Sequence, residues 1–490
     1  MKTKLCGKYV IAFQKNSHEI IEDGCVVFEN DRVIYAGIRE SSACPIADTN
    51  IHFPESLISP GLINLHCIAN IDLQPLRIDI DGIGFPKSQK WFERSDNLLS
   101  DDELYTSALF SVASLLRHGS TTFCNVTTMA SKRFDDPIIE PLALADAAEA
   151  LGVRAYIAHN FQDYSRYDDV YGKTHMVYDE EKGNVGLHRA TKLIEQLVTS
   201  YSDRVRGFLF PYTTQTCSDS LLQRAMKTAE ELDVTVRSHF AQYPAETIEI
   251  LGKKGISAVE RMSRLGVLSP RTTLTHAIYL RGHPEVGGGS MSDDLSILAD
   301  SGTNIAHCPV VFSRRGVLLQ SFDRYCAAGI NLALGTDTVP PDIVGEMRMA
   351  STLAKVAEKS PVAGTAHDVF NAATIGGAKS LGRSDLGRLS PGAKADITIF
   401  DLSPLHVGVV DDPIKALVHY LNGSDVKHVY IDGKQVLKDG VLLGLKVNPE
   451  ELLEKTRTVW ESYKKALVAR DPQNRTTDQL YPQALSKRRS

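Results

Sequence analysis

The sequence predicts an α/β chain: a (β/α)8 barrel with a small composite β-sandwich formed by both chain ends. Three observations carry this. Eight apolar runs of strand length alternate with amphipathic stretches through the middle of the chain. The segments before and after them read as short strands separated by turns. Polar residues that can bind metal recur where the central strands end. The alternation calls for right-handed crossovers and a parallel sheet, and eight repeats favour closure over an open doubly wound sheet.

Taken in order, Lys4 to Phe53 holds the strand patterns Tyr9 to Phe13, Gly24 to Phe28 and Arg32 to Gly37, with Glu29-Asn30-Asp31 as a hairpin signal. The barrel strands are expected at Leu57 to His66, Thr121 to Val126, Val153 to His159, Val205 to Phe210, Val234 to Phe240, Thr273 to His276, Asn304 to Cys308 and Asn331 to Asp337. Helical patterns fall between them at Asp101 to Leu116, Glu140 to Leu151, His188 to Ser200, Ser220 to Leu232 and Asp293 to Ser301. Gly82-Ile83-Gly84 lacks the third glycine and the following helix of a dinucleotide fingerprint, and reads as loop. Leu386 to Leu402 and Val429 to Gly433 return to short strands. The expected division is therefore 1–58 plus 385–446 as the composite β-sandwich, 59–384 as the barrel, and 447–490 as a helix, Asn448 to Ala469, with a polar, mobile tail.

Composition agrees with an ordinary globular chain. Hydrophobic residues make up 43% and charged residues 23% of 490 positions, and 54 basic against 60 acidic side chains leave a net charge of -6. That balance argues against nucleic acid and membrane surfaces as partners. The start of the chain lacks a secretion pattern, and apolar runs of membrane-spanning length are missing. The eight cysteines show no CxxC pairing and read as reduced thiols of a cytoplasmic protein.

His66, His239, His276 and Asp337 fall at the C-terminal ends of the first, fifth, sixth and eighth predicted strands, the face that carries the site in this fold. Imidazole and carboxylate suit a divalent ion such as zinc that keeps one position open for water. A lone histidine is more often a hydrogen-bonded structural residue, and His159, His283 and His307 are read that way, with His307 near the site mouth. Three at strand ends with an aspartate are a different matter.

The chain resembles the amidohydrolase superfamily, in its branch of cytosine, guanine and adenosine-homocysteine deaminases and triazine hydrolases. The resemblance rests on Ser59-Pro60-Gly61-Leu62-Ile63-Asn64-Leu65-His66, Ser238-His239-Phe240-Ala241, Leu274-Thr275-His276-Ala277, Asn304-Ile305-Ala306-His307-Cys308-Pro309, Leu334-Gly335-Thr336-Asp337 and Gly387-Arg388-Leu389-Ser390-Pro391-Gly392-Ala393-Lys394-Ala395-Asp396. It implies one divalent metal per chain, zinc before iron, cobalt or manganese, held by His66, His239 and Asp337. It also implies that His276 polarises the attacking water and that Asp337 moves protons. The binuclear branch needs a lysine at the end of strand four, where this chain has Gly207-Phe208-Leu209-Phe210-Pro211. Relatives often associate, so a homo-oligomer is one expected form.

Two positions depart from the pattern. The second histidine expected in His66-Cys67-Ile68 is Ile68, which has no lone pair to donate, and the glutamate expected three residues after His239 is Gln242. Gln242 can hydrogen-bond a substrate amide but cannot cycle a proton. Tyr243, Glu246 and Asp72 are the nearby replacements for the acid, and Cys67 should alternate away from His66. The segment Ala69 to Asn97, with Arg77, Phe85, Trp91 and Phe92, is expected to cover the pocket, and Phe210 and Tyr212 to stack on a planar ligand or to pack. The function expected is hydrolysis of a non-peptide C–N bond in a small nitrogenous compound, by deamination or by amide or ring cleavage. Ile68 and Gln242 keep two alternatives in view: a barrel repurposed for binding, and a non-hydrolytic reaction such as decarboxylation on the same site.

Overall fold

The computed structural model describes residues 1–68, 99–127, 138–168, 174–469, 475–480 and 482–485. Strands from both ends of the chain form one continuous eight-stranded sheet, in the order Val441–Leu442, Lys434–Lys438, Val426–Ile431, Ile397–Asp401, Thr49–Pro60, Lys2–Gln14, Ser17–Glu29, Arg32–Ile38. The ends meet where Ile397–Asp401 runs antiparallel to Ser56–Pro60, Ile397 opposite Pro60. Leu5, Val10, Val26, Phe28 and Ile58 from the N-terminal part share a core with Ile397, Ile399 and Tyr430 from the C-terminal part. Neither part buries that face alone. The first hairpin is longer than the sequence suggests. It turns at Lys15 and Asn16, with φ of 47° and 65°, the two positive values a tight two-residue turn requires.

The expected strand Leu57 to His66 is two strands. Thr49–Pro60 belongs to the composite sheet and Leu62–Cys67 to the central parallel strands, with Gly61 between them. A Cβ at Gly61 would lie 2.1 Å from Thr121 Oγ1, so only glycine lets the chain pass. Its N–H donates to the Asp396 carbonyl at 2.8 Å, tying the corner to the C-terminal half of the sheet.

The central strands pair in parallel in two groups: Leu62–Cys67, Ser120–Val126, Arg154–Ala158 and Val205–Gly207, then Val236–Phe240, Thr272–His276, Asn304–His307 and Asn331–Leu334. Parallel bridges join them, Leu209 to Val236 on one side and Cys67 to Asp337 on the other, so neighbours follow one another around a circuit. Almost every residue of these strands is buried, as expected when helices cover one face and side chains fill the other. The third and fourth strands are interrupted and resume as the pair Asn160–Phe161 and Phe210–Pro211, shorter than the continuous runs predicted.

Helices lie where the apolar periodicity places them. Asp101–Arg117 begins with a capping box, in which Ser100 and Glu103 satisfy each other's backbone N–H groups. It packs against Ile139–Leu151 and against the C-terminal helix Pro449–Ala469. The helix predicted from His188 starts at Glu180, capped by Asp179. In the expected tail, Thr477–Leu480 is a short helix, and residues 470–474, 481 and 486–490 lie outside the described residues. No helix among the described residues is long and apolar enough to cross a membrane.

Candidate metal centre

Each residue of the centre comes from the end of a parallel strand. His66 lies near the end of Leu62–Cys67, His239 near that of Val236–Phe240, and His276 ends Thr272–His276. Asp337 follows Asn331–Leu334 by three residues. His66 and His276 are 1% exposed and His239 5%, although neutral imidazole has polar atoms to satisfy. The ligand atoms of the three histidines all lie within 4.8 Å of one another. The rings of His239 and His276 are parallel, with centroids 5.4 Å apart, and His66 stands perpendicular to both.

The Asp337 carboxylate closes one side, with Oδ1 3.6 Å from His66 Nε2 and Oδ2 4.0 Å from His276 Nε2. Both contacts exceed hydrogen-bond length. Neither ring nitrogen of His66 or of His276 has a hydrogen-bond partner among the described residues. A neutral imidazole carries one N–H and one lone pair, so each of the two rings leaves a buried lone pair without a partner, at a cost of roughly 1–3 kcal/mol each unless something receives it. A divalent cation coordinated by imidazole and carboxylate meets that need, so the residues fit a metal ion.

His239 is already oriented for such a ligand. Its Nδ1 donates to the Tyr212 carbonyl at 2.9 Å, which leaves the Nε2 lone pair free to face the cluster. Burial, assisted by the nearby His66, pulls the His239 pKa down to about 3, so the ring is neutral at ordinary pH. Burial likewise holds His276 well below its usual value. Burial alone would raise Asp337, but the surrounding imidazoles outweigh it and keep the carboxyl below the ordinary range.

The backbone is bent to bring these groups together. His276 and Asp337 have φ of 80° and 57°, and Ala277, next to His276, and Ala241, after the strand that carries His239, have 48° and 45°. Non-glycine residues in this region cost energy and persist where surrounding structure holds them. Part of that hold is visible: Asn64 donates from Nδ2 to Thr336 Oγ1 at 2.8 Å and accepts the Thr336 N–H at 3.1 Å, clamping the segment before Asp337 to the strand before His66. Gly335 lies against the His66 backbone, where a Cβ would approach within 2.7–2.9 Å. An asparagine two residues before His66 in an apolar strand was the available signal for the clamp. The sequence offers none for the Tyr212 carbonyl.

The two departures sit as follows. Ile68 packs partly buried against the core, and its N–H donates to the Asp337 carbonyl. Gln242 is half-buried in the turn after His239. Beneath that turn Glu246 is buried, with Thr214 donating to its carboxyl and the Ala241 and Gln242 N–H groups directed at it. Burial pushes Glu246 up to about 7 against those donors. Glu246 therefore supports the turn that carries Gln242. Tyr243 receives Arg315 Nη1 at 3.4 Å. Cys67 points away from the histidines, its Sγ toward the Cys124 carbonyl at 3.4 Å.

Phe210 and Tyr212 stand edge-on to His239 at 5.0 and 5.2 Å, walling its ring. Phe312, which the sequence did not single out, packs on His276 at 4.5 Å. Glu346 was missed as well: it is buried, accepts the Val310 N–H at 3.0 Å, and is held far above the carboxylate range by burial and then by the Asp337 charge. His307 is buried beside Phe322 and pulled down to about 4 by burial. Asp72, Arg77, Gly82 to Gly84, Phe85, Trp91 and Phe92 lie outside the described residues.

Residues 57–436 match the amidohydrolase family. The sequence is 28% identical over 427 residues to a 5'-deoxyadenosine deaminase of Methanothermobacter thermautotrophicus, covering 86% of this chain and 91% of that one. It is 28% identical over 417 residues to a 5-methylthioadenosine/S-adenosylhomocysteine deaminase of Thermococcus sibiricus, covering 84% and 89%. An adenosine deaminase from Xanthomonas campestris with bound zinc has a similar structure, with a TM-score of 0.78 at 20% identity, covering 94% of this chain and 98% of that one. Atrazine chlorohydrolase from Arthrobacter aurescens TC1, complexed with zinc, follows at 0.76 and 21%, covering 93% and 99%. At such identities the structural likeness speaks for the fold.

Proposed function

Starting from the membership of this chain in the amidohydrolase family, whose members here are metal-dependent hydrolases of non-peptide carbon–nitrogen bonds in small compounds, we propose that it deaminates an aminopurine nucleoside altered at its 5' position. The observation that carries this reading is the buried cluster of His66, His239 and His276 with Asp337 beside it. The names of the relatives supply the substrate class. Residues 59–384 are the catalytic unit, a closed (β/α)8 barrel, and 1–58 with 385–446 form the sandwich that supports it.

His66, His239 and Asp337 would hold a divalent ion, zinc on this reading. When bound, such an ion supplies a water acidified enough to act as a nucleophile near neutral pH. His276 would orient that water, and Asp337, whose carboxyl is held below its ordinary range, would take its proton. Gln242 binds a ring nitrogen or amide of the substrate from the half-buried turn beside His239. With glutamine there, Asp337 also returns the proton to the leaving amine.

The close grouping of His276 with the other two histidines favours a second ligand set in which His276 replaces the histidine missing at Ile68. His276→Asn separates the two: retained metal with lost turnover assigns orientation, and lost metal assigns ligation. The reading as a whole is tested by metal analysis and by ammonia release from 5'-deoxyadenosine, 5'-methylthioadenosine and S-adenosylhomocysteine. About one equivalent of metal per chain with ammonia release is expected, and Asp337→Ala should abolish both. Less than about a tenth of an equivalent after reconstitution would favour a binding protein instead. Carbon dioxide in place of ammonia would point to decarboxylation.

A further inference from the structure

Away from the histidine centre, the composite sheet holds three thiols in a row. Cys6 and Cys25 are opposite each other across the first hairpin, 6% and 0% exposed. Cys44 lies half-buried in the turn segment between Arg32–Ile38 and Thr49–Pro60, its Sγ 3.4 Å from Cys25 Sγ. Lys4 reaches over the group, its ammonium donating to the Arg39 carbonyl at 3.5 Å and lying beside Cys44. Burial would lower that ammonium, but its contacts with Cys44, Cys25 and Cys6 hold it above its ordinary value. The Cys25 thiol beside it pulls Cys6 down to about 7, while Cys25 itself is pushed up by Cys6, by burial and by Cys44. An electropositive, partly exposed setting of this kind is where reactive cysteines occur.

We propose that Cys25 and Cys44 are an oxidation site, a dithiol that a small hydroperoxide converts to a disulfide, fastening the turn segment to the first hairpin. Cys44 is the sulfur that solvent reaches. Its thiolate attacks the peroxide O–O bond, forming a sulfenic acid and releasing one water or alcohol. The Cys25 sulfur then attacks Cys44 Sγ, the S–S bond forms, and the sulfenic hydroxyl leaves as water with the Cys25 proton. The two thiols lose two electrons and two protons, and the hydroperoxide is reduced by the same two electrons. The sulfurs must close from 3.4 Å to a bond of about 2.0 Å. Cys44 stands outside the strand ladder and can make that movement, whereas Cys6 and Cys25 are both fixed in paired strands.

The test uses the full chain carrying Cys326→Ser, which removes an exposed thiol that would cross-link molecules. The reduced protein is treated with hydrogen peroxide, blocked with N-ethylmaleimide, digested with trypsin and mapped by tandem mass spectrometry. The expected product links the peptide Asn16–Arg32 to the one beginning at Glu40, with fragmentation placing the bond on Cys44 rather than Cys67. Cys44→Ser should slow the loss of the Cys25 thiol by about tenfold or more, and Cys6→Ser should leave the link in place. A link from Cys6 to Cys25, sulfinic acid on Cys44 without a link, or intact Cys25 and Cys44 at a dose that oxidises Cys326 in the parent chain would each overturn the assignment.

Discussion

Glu246 illustrates what burial does to a single carboxyl. It is 3% exposed, receives Thr214 and two backbone N–H groups, and still has its pKa pushed up to about 7 from 4.5. Because the folded value is the higher one, the unfolded chain gives up the proton first. The contribution of Glu246 to stability is full below pH 4.5 and is lost as the pH rises through about 7. That loss is on the order of 3 kcal/mol. Glu246→Gln keeps an acceptor for Thr214 and removes the titration. Denaturant unfolding at pH 4.5 and 7.5 should therefore show the wild type losing stability relative to the variant across that interval; parallel behaviour of the two would refute the burial argument. At this scale much of the site was legible. His66, His239, His276 and Asp337 could be named because strand ends and residue type sufficed. The Tyr212 carbonyl that sets the His239 tautomer could not, since a backbone oxygen has no letter of its own.

The junction of Thr49–Pro60 with Leu62–Cys67 shows where periodicity misleads about elements. Leu57 to His66 reads as one apolar run because both strands are buried, and burial alone does not reveal a change of sheet. Gly61 is the mark, and its reason is a neighbour distant in sequence, Thr121. Gly61→Ala should destabilise the fold by about 1–3 kcal/mol, read from the denaturation midpoint, and Thr121→Ala in the same chain should recover part of it. A neutral Gly61→Ala would show that the corner has room. The strand ends carry a related lesson. Asp337 has a positive φ in the segment that the Asn64 clamp and the Gly335 contact hold against the His66 strand.

Across the whole molecule, one buried charge network joins the parts. Arg154, 1% exposed at the start of the third central strand, donates from Nε to Asp396 at 3.0 Å and from Nη2 to Asp432 at 2.6 Å. Lys394 bridges Asp432 at 3.0 Å to Asp31 of the N-terminal hairpin at 2.7 Å. Asp396→Ala removes one of the two carboxylates that compensate the buried Arg154 guanidinium, leaving Asp432 alone, and should cost on the order of 3 kcal/mol, measured by urea unfolding. A loss under about 1 kcal/mol would mean that water reaches the guanidinium. The network ties the barrel to both chain ends at the N-terminal ends of the central strands, opposite the histidine cluster, where it serves stability. The order of strands and helices, the barrel class and the four strand-end residues were determined by the sequence itself, because periodicity and residue type are local properties. Which histidine nitrogens converge, which carbonyl fixes a tautomer, how Cys25 meets Cys44 and how both ends share one sheet were decided only by the tertiary structure. Those depend on distances between residues far apart in the chain, which no local pattern encodes.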